Sequence, residues 1–280
     1  MNYKSKKTEP LILFKYGGNA MVNDDLKREV LKNICAIADE GYRIVIVHGG
    51  GPYIQQALTE AKIESEFIDG QRKTTIEAFE YVEMALKGKV NGSLVRIINS
   101  LGHKAVGLSG KDGQTVIATK RVFKKVINEM VEEVDLGQVG DVAQVDNSLT
   151  DLLLDNGYVP VIACLAADKE GNGYNINADM FAGHLAGSLK ASQYVVLTDV
   201  DGLLRDKDDP SSLISSLSLS ETDDLLKKEI IQGGMIPKIE SCEIAINKGA
   251  RSARIINGTK PEQITSIIKD SATEIGRAHV

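Results

Sequence analysis

The chain has 280 residues, 42% of them hydrophobic, ample for one large core or two lobes. Its net charge of −6, 5% aromatic content and lack of Trp exclude the basic, aromatic-studded surface of a nucleic-acid binder. No apolar run approaches the roughly 18 residues of a membrane span, and residues 1–10 are charged, without the apolar stretch of a secretory signal, so the expectation is a soluble cytoplasmic protein with no membrane contact.

The first strand is expected at Leu11-Ile-Leu-Phe-Lys-Tyr16, an apolar run carrying Lys15 near its tip and followed by Gly17-Gly18. Residues 24–40 place Leu26, Val30, Ile34 and Ile37 at helical spacing, with Gly41 as a stop. Residues 42–48 are a near-continuous apolar run, typical of a parallel strand covered on both faces, and 53–62 read as helix behind Gly49-Gly-Gly-Pro52. A short strand at 66–68 precedes the loop Asp69-Gly-Gln-Arg72, and two separate helices are predicted at 76–86 and 90–101. Residues 105–108 are strand-like, and 115–139, rich in Val and charge, read as antiparallel hairpins. A helix at 147–156, a strand at 158–164, a small-residue helix at 180–189 and a strand at 194–199 follow. The polar stretch 205–220 is expected to loop out, with helices at 225–231 and 237–248, a last strand at 254–256 and a last helix at 261–268. This alternation predicts an α/β fold with a mainly parallel sheet, divided near Lys190 into lobes 1–190 and 191–280. Cys35, Cys164 and Cys242, odd in number and far apart, read as buried thiols rather than disulfides or metal ligands.

Ligands of open α/β sheets bind beyond the strands' C-terminal ends, so the Gly-rich and polar strand ends here should share one edge. His48-Gly-Gly-Gly-Pro52 is the strongest single signal: three glycines before a helix let free backbone amides face an anion. His48 itself is expected to be a packing residue. From its own segment Lys15 is open between a surface lysine and an anion-site residue. Lys238, in the first turn of the helix begun by Pro237, sets a cation against the helix dipole, a conflict that an anion would resolve. In Asn175-Ile-Asn177-Ala-Asp179 two amides and a carboxylate alternate ahead of a helix, and Asp179 is either the helix cap or a carboxylate between converging lysines. Neither a Walker loop nor G-x-G-x-x-G occurs.

Together these segments resemble the N-acetylglutamate kinases of the amino acid kinase family. The matching pieces run in the family's order over about residues 11–260: Lys15-Tyr-Gly-Gly-Asn-Ala-Met21, Val47-His-Gly-Gly-Gly-Pro52, Gly70-Gln-Arg72, Gly88-Lys-Val-Asn91, Val106-Gly-Leu-Ser-Gly-Lys-Asp-Gly113, Gly137-Gln-Val-Gly-Asp141, Asn175 to Asp179, Leu197-Thr-Asp-Val-Asp-Gly202 and Gly234-Met-Ile-Pro-Lys238. The resemblance implies a three-layer αβα sandwich, with an N-terminal lobe for the acceptor and dimer contact and a C-terminal lobe for ATP. It implies that ATP phosphorylates the γ-carboxylate of N-acetyl-L-glutamate in arginine biosynthesis. Lys15 and Lys238 would stabilise the phosphoryl group in transit and Asp179 would organise them. Gly17 and Gly18 would contact phosphate, and Gly50 and Gly51 the attacking carboxylate. Arg72, Asn175 and Asn177 would hold the acceptor, and Thr198, Asp199, Gly202 and Met235 would line the nucleotide pocket. Mg²⁺ would arrive with ATP, with no metal ligand from the protein. Phosphoryl transfer to an already ionised carboxylate needs no general base, which suits a site without catalytic His or Cys.

The implied assembly is a homodimer, and no residue points to a PII-type regulator. Arginine-inhibited members carry a longer N-terminal helix than the polar segment here, so strong arginine feedback is not expected. The ending Ile275-Gly-Arg-Ala-His-Val280, in place of the family's glycine-rich tail, resembles a translated sequencing adapter and is expected to be an artefact. Two alternatives stay open: a kinase for a related acylated acidic amino acid of the aminoadipate type, and a catalytically silent sensor of amino acid or nucleotide.

Overall fold

A computed structural model describes residues 9–127, 130–206, 208–267 and 273–276. The N-terminal segment 1–8 and most of the suspected artefact, 277–280, lie outside them. In chain order the first elements are β1 (Leu11–Tyr16), α1 (Asp24–Asp39), β2 (Arg43–His48), α2 (Gly51–Glu60), β3 (Phe67–Ile68), β4 (Gln71–Arg72), α3 (Ile76–Glu83), α4 (Asn91–Ser100), β5 (Lys104–Ser109) and β6 (Val116–Lys120). Next come β7 (Phe123–Ile127), β8 (Met130–Val134), β9 (Val139–Val145), α5 (Ser148–Asp155), β10 (Tyr158–Ala163), β11 (Leu165–Ala167), β12 (Gly173–Ile176) and α6 (Ala178–Ser188). The remainder are β13 (Gln193–Thr198), β14 (Ser216–Ser218), α7 (Leu219–Lys227), α8 (Ile236–Lys248), β15 (Ser252–Asn257), α9 (Glu262–Ser266) and β16 (Thr273–Gly276).

The central sheet runs β14-β16-β15-β13-β1-β2-β10-β5 and is parallel except where β15 meets β16. β1 lies in its interior, pairing with β2 on one side and β13 on the other, so residues before and after Lys190 share one sheet. The strand period of two sorts β1 into opposite faces. Leu11 and Leu13 join the apolar layer of α2, α3, α6 and α8, whereas Ile12, Phe14 and Tyr16 join that of α1, α4 and α9. This is the αβα sandwich expected. The same parity sends Lys15 to the α6–α8 side.

Register places Tyr16, His48, Ala163 and Ser109 level at the C-terminal edge of β1, β2, β10 and β5. The region 115–139 is antiparallel as expected: β7 pairs with β8, and β6 pairs with β9 in a small closed set with β11 and β12.

Four local expectations need correction. The helices predicted at 76–86 and 90–101 are joined by a π-helical turn, Met84–Val90, which carries the chain through Gly88 without a break. The stretch 205–220 is not all loop: β14 lies within it, and α7 begins at Leu219 because Ser218 and Glu221 form a capping box. Residues 254–256 are not the last strand, since β16 pairs antiparallel to β15 and takes in Ile275 and Gly276 of the suspect ending. Cys164 falls between β10 and β11 rather than within a strand. All three cysteines are free and buried, as expected.

His48 is fully buried, and Asn91 Nδ2 donates to its Nε2 at 2.9 Å while His48 Nδ1 donates to the Gly49 carbonyl at 2.9 Å. Burial drives its pKa from 6.5 down to about 4, so the folded ring is neutral. The unfolded chain therefore takes up a proton between those values that the folded chain refuses. Stability from neutral His48 is complete above pH 6.5 and is lost as pH falls. Urea unfolding should show a loss on the order of 2 kcal/mol between pH 7.5 and 5, with His184, also lowered by burial, adding in the same sense. A His48→Gln variant should be less stable at pH 7.5 and show a shallower fall. An unchanged pH dependence would assign the loss to other groups.

Candidate active site

α6 begins where Asn177 accepts hydrogen bonds on its Oδ1 from the amides of Asp179 (2.8 Å) and Met180 (3.2 Å). Asn177, not Asp179, is thus the cap, which leaves the Asp179 carboxylate free to turn inward. Asp179 is 6% exposed and Lys15 7%. Lys15 Nζ stands 2.8 Å from Asp179 Oδ1, and Lys238 Nζ stands 3.5 Å from Oδ2. Burial pushes the Asp179 carboxyl upward, but the two ammoniums outweigh it and hold the pKa below the ordinary carboxylate value. Lys238 is held below the ordinary lysine value, first by burial and then by Lys15, with Asp179 opposing.

The small residues of α6 make this meeting possible. A β-carbon on Gly183 would lie 2.4 Å from the Ser241 carbonyl oxygen, and one on Gly187 2.4 Å from the Lys248 Cβ. α8 therefore packs against α6 at backbone distance, and the first turn of α8 brings Lys238 to Asp179. The Tyr194 hydroxyl pins the joint, donating to the Asp179 carbonyl at 3.4 Å and sharing a 3.1 Å hydrogen bond with Ser241 Oγ. The dipole conflict at Lys238 finds its anion in the Asp179 carboxylate.

Beside this triad opens a cavity of about 410 Å³, within the range of small-molecule sites. Lys15, Asp179, Gly17, Gly18, Gly50, Gly51, Arg72, Asn175 and Asn177 all line it. α2 starts at its wall with Pro52 in the first turn and no side-chain cap, so its leading amides are available to an anion. Gly50 is glycine for want of room: a β-carbon there would lie 2.8 Å from Leu86 Cδ2 and 3.1 Å from Val90 Cγ2, both in the π turn. Gly18, at φ +75°, has the left-handed conformation that lets the chain turn away after β1.

Arg72 reaches the cavity from β4 and stacks over the Phe67 ring, 4.5 Å from its centroid. Its Nη1 donates to Gln55 Oε1 at 2.9 Å and to Ser65 Oγ, both neutral oxygens. The segment behind it is clamped: Thr74 N donates to the Leu136 carbonyl at 2.8 Å, and Gln138 N donates to the Thr74 carbonyl at 2.6 Å. Gly137, at φ +73°, leaves no room for a β-carbon, which would sit 2.2 Å from the Thr74 oxygen.

Not every expected residue converges on the cavity. Asn177 lines it, but its Oδ1 is engaged in the α6 cap. Lys238 stands behind Asp179 rather than in the lining. Thr198, Asp199, Gly202 and Met235 also lie outside the lining; Thr198 ends β13, where its Oγ1 donates to Asp199 Oδ1 at 3.3 Å, and Met235 precedes α8.

Arg121, unforeseen in the sequence, does line the cavity, with Nη1 at 2.6 Å from Asp141 Oδ1. The signal available was an arginine on the β6–β7 turn, but nothing local says that β9 folds back to bring that turn to the site. Cys164 lines the cavity too, yet burial lifts its thiol to about 12, so it is a neutral wall and not a nucleophile. Among the described residues no group of three or more His, Cys, Asp or Glu could hold a metal ion, and no helix is long and apolar enough to cross a membrane.

The model of the amino acid kinase family matches residues 10–257. The chain belongs to the amino acid kinase family. Within that family it is similar to the acetylglutamate kinase of Heliobacterium modesticaldum, 46% identical over 264 residues that cover 94% of this chain and 89% of the relative. It is also similar to the acetylglutamate kinase of Methanococcus maripaludis, 42% identical over 262 residues with the same coverage of each chain. Among solved structures of this fold, smu.665 from Streptococcus mutans superposes with a TM-score of 0.75 at 27% identity, covering 95% of this chain and 98% of that one. Giardia carbamate kinase superposes with a TM-score of 0.73 at 15% identity, covering 96% and 99%, a likeness of fold alone. Lys15 and Lys238, the two lysines singled out in the sequence, are the pair that the tertiary structure brings to Asp179.

Proposed function

We propose that this kinase transfers the γ-phosphoryl group of ATP to the γ-carboxylate of N-acetyl-L-glutamate, a step of arginine biosynthesis. The observation that carries the reading is the Lys15–Asp179–Lys238 triad, with Lys15 and Asp179 buried in the wall of a cavity that also presents an arginine bonded to neutral oxygens, and with Lys238 half-buried beside them. A silent sensor has no use for two ammoniums on one buried carboxylate, whereas phosphoryl transfer needs positive charge aligned along its path.

In this reading the acceptor lies in the 410 Å³ cavity with its α-carboxylate on Arg72 and its main chain beside Asn175. Its γ-carboxylate meets the amides at the start of α2, around Gly50 and Gly51. A γ-carboxylate oxygen forms a bond to the γ-phosphorus as the bond to the bridging oxygen breaks, leaving ADP and the acyl phosphate. Lys15 and Lys238 take up the charge that spreads over the phosphoryl oxygens, and Asp179 keeps the two ammoniums in register. Gly17 and Gly18 let phosphate approach without a side chain between. The nucleotide lies toward Thr198, Asp199, Gly202 and Met235 in the lobe 191–280, and residues 1–190 supply acceptor binding and the contact of a cytoplasmic homodimer. Mg²⁺ accompanies the nucleotide, bound mainly through phosphate oxygens.

An ADP-release assay comparing N-acetylglutamate, glutamate and N-acetyl-aminoadipate tests the proposal. Turnover should be greatest by far with N-acetylglutamate. Preference for the aminoadipate compound would reassign the substrate, and no turnover with any would favour the sensor. Arg72→Ala should raise the acceptor KM by about 10- to 100-fold with little change in ATP KM, the scale of a lost charge-assisted hydrogen-bond pair. Arg72→Lys should recover only part, because an ammonium lacks the planar fork. Equal effects on both substrates would place Arg72 elsewhere in the mechanism.

A further inference from the structure

A second cleft, of about 460 Å³, opens between α1, α2 and α4, away from the triad. Its walls carry Lys27, Lys89 and Arg96 against one carboxylate, Asp24, an excess of two positive charges in a concave space. Ser93 and Tyr53 add hydroxyls.

Lys27 is the anchor. It is 4% exposed, with Nζ 2.7 Å from Asp24 Oδ1 and donating to the Tyr53 hydroxyl at 3.2 Å. Lys89 approaches the same ring: Lys27 Nζ lies 5.7 Å and Lys89 Nζ 5.5 Å from the Tyr53 centroid. Two ammoniums thus crowd one ring, and the single lining carboxylate is committed to Lys27. Lys89 itself donates to the neutral Gln56 Oε1 at 3.1 Å. Arg96 is exposed at the rim, where its charge helps to lower the Asp24 carboxyl. Like charges gathered in a cleft without matching counter-charge are costly unless an anion joins them.

We propose that this cleft is a binding site for a small multivalent oxyanion, a di- or tricarboxylate or a phosphate, held by Lys89, Arg96 and Ser93 over the buried Lys27. The cleft backs onto both glycine loops of the active site. The Tyr53 hydroxyl donates to the Met21 carbonyl at 2.7 Å, at the end of the turn Gly18–Met21. Val90, in the cleft wall, also packs against Gly50. An anion here therefore touches the residues that support the phosphate-facing backbone from behind.

The test is calorimetric titration of citrate, and separately of inorganic phosphate, into the intact protein in magnesium-free buffer. The proteins compared are wild type, Lys89→Gln/Arg96→Gln, the charge-preserving Lys89→Arg/Arg96→Lys, and Arg72→Ala. At least one of the two anions should bind wild type, and the two titrations show whether carboxylate or phosphate is preferred. The neutral pair should weaken that binding at least about tenfold, the scale of losing one to two charge-assisted contacts. The charge-preserving pair should retain it, and so should Arg72→Ala, whose change lies in the other cavity. Absence of binding of both anions to wild type, equal binding by the neutral pair, or loss in Arg72→Ala instead would overturn the proposal.

Discussion

Alanine at Lys15 or at Lys238 is expected to lower kcat by at least about 10²-fold, the scale for removing one preorganised donor from a charge-developing transition state. The reason is geometric. Lys15 is locked in β1 between β2 and β13 and held at 2.8 Å by Asp179, so its ammonium is already in place when the phosphoryl group moves. Lys238 is placed by the close packing of α6 on α8 and needs no rearrangement either. Each variant should fold, because the partner lysine still neutralises the carboxylate. The loss should appear in kcat more than in KM. Lys238→Arg offers a finer readout: burial holds the Lys238 pKa below 10.5, so an alkaline limb of kcat starting below that value should vanish with arginine. Near-normal turnover in a purified alanine variant would remove that lysine from the mechanism.

Asp179→Asn should have the largest combined effect, lowering kcat by at least about 10²-fold and stability by about 3 kcal/mol or more. Asparagine preserves shape but leaves the buried Lys15 and half-buried Lys238 ammoniums near each other without a counter-charge. The pH dependence has a definite sign. Lys15 and Lys238 hold the carboxyl below its ordinary 3.8 against the upward push of burial, so its contribution is fully present above that value and is lost as pH falls through the lower folded one. The stability gap between wild type and variant, read from urea midpoints, should stay level from pH 5 to 8 and narrow only below about pH 4. A gap already closing at pH 6, or no gap, would mean that the three charges do not act as a unit.

Much of this site could be read before the fold. Lys15 at a strand tip, the glycines before Pro52, the amide–carboxylate alternation at 175–179 and Lys238 beside Pro237 are local patterns whose chemistry follows from strand ends and helix termini. Arg121 was not legible, because its turn matters only once β6 and β9 pair and swing it to the cavity. The cap of α6 was ambiguous for a related reason. Asn177 and Asp179 are both competent caps, and the choice of Asn177 goes with two lysines, one of them 59 residues away, claiming the aspartate.

By itself the amino-acid order determined an α/β alternation with a mainly parallel sheet, since hydrophobic period, glycine stops and helix caps act within a few residues; the three-layer αβα arrangement was implied by the family resemblance. The amino-acid order also determined which strand ends bear glycine and charge. The tertiary structure decided which of those charges meet. Lys238 reaches Asp179 only because Gly183 and Gly187 let α8 approach α6 at backbone distance, and Lys15 reaches it only because strand parity turns it to that side of the sheet. Ion pairing falls steeply once groups separate beyond a few ångströms in water, so its partners are chosen by packing and not by spacing along the chain.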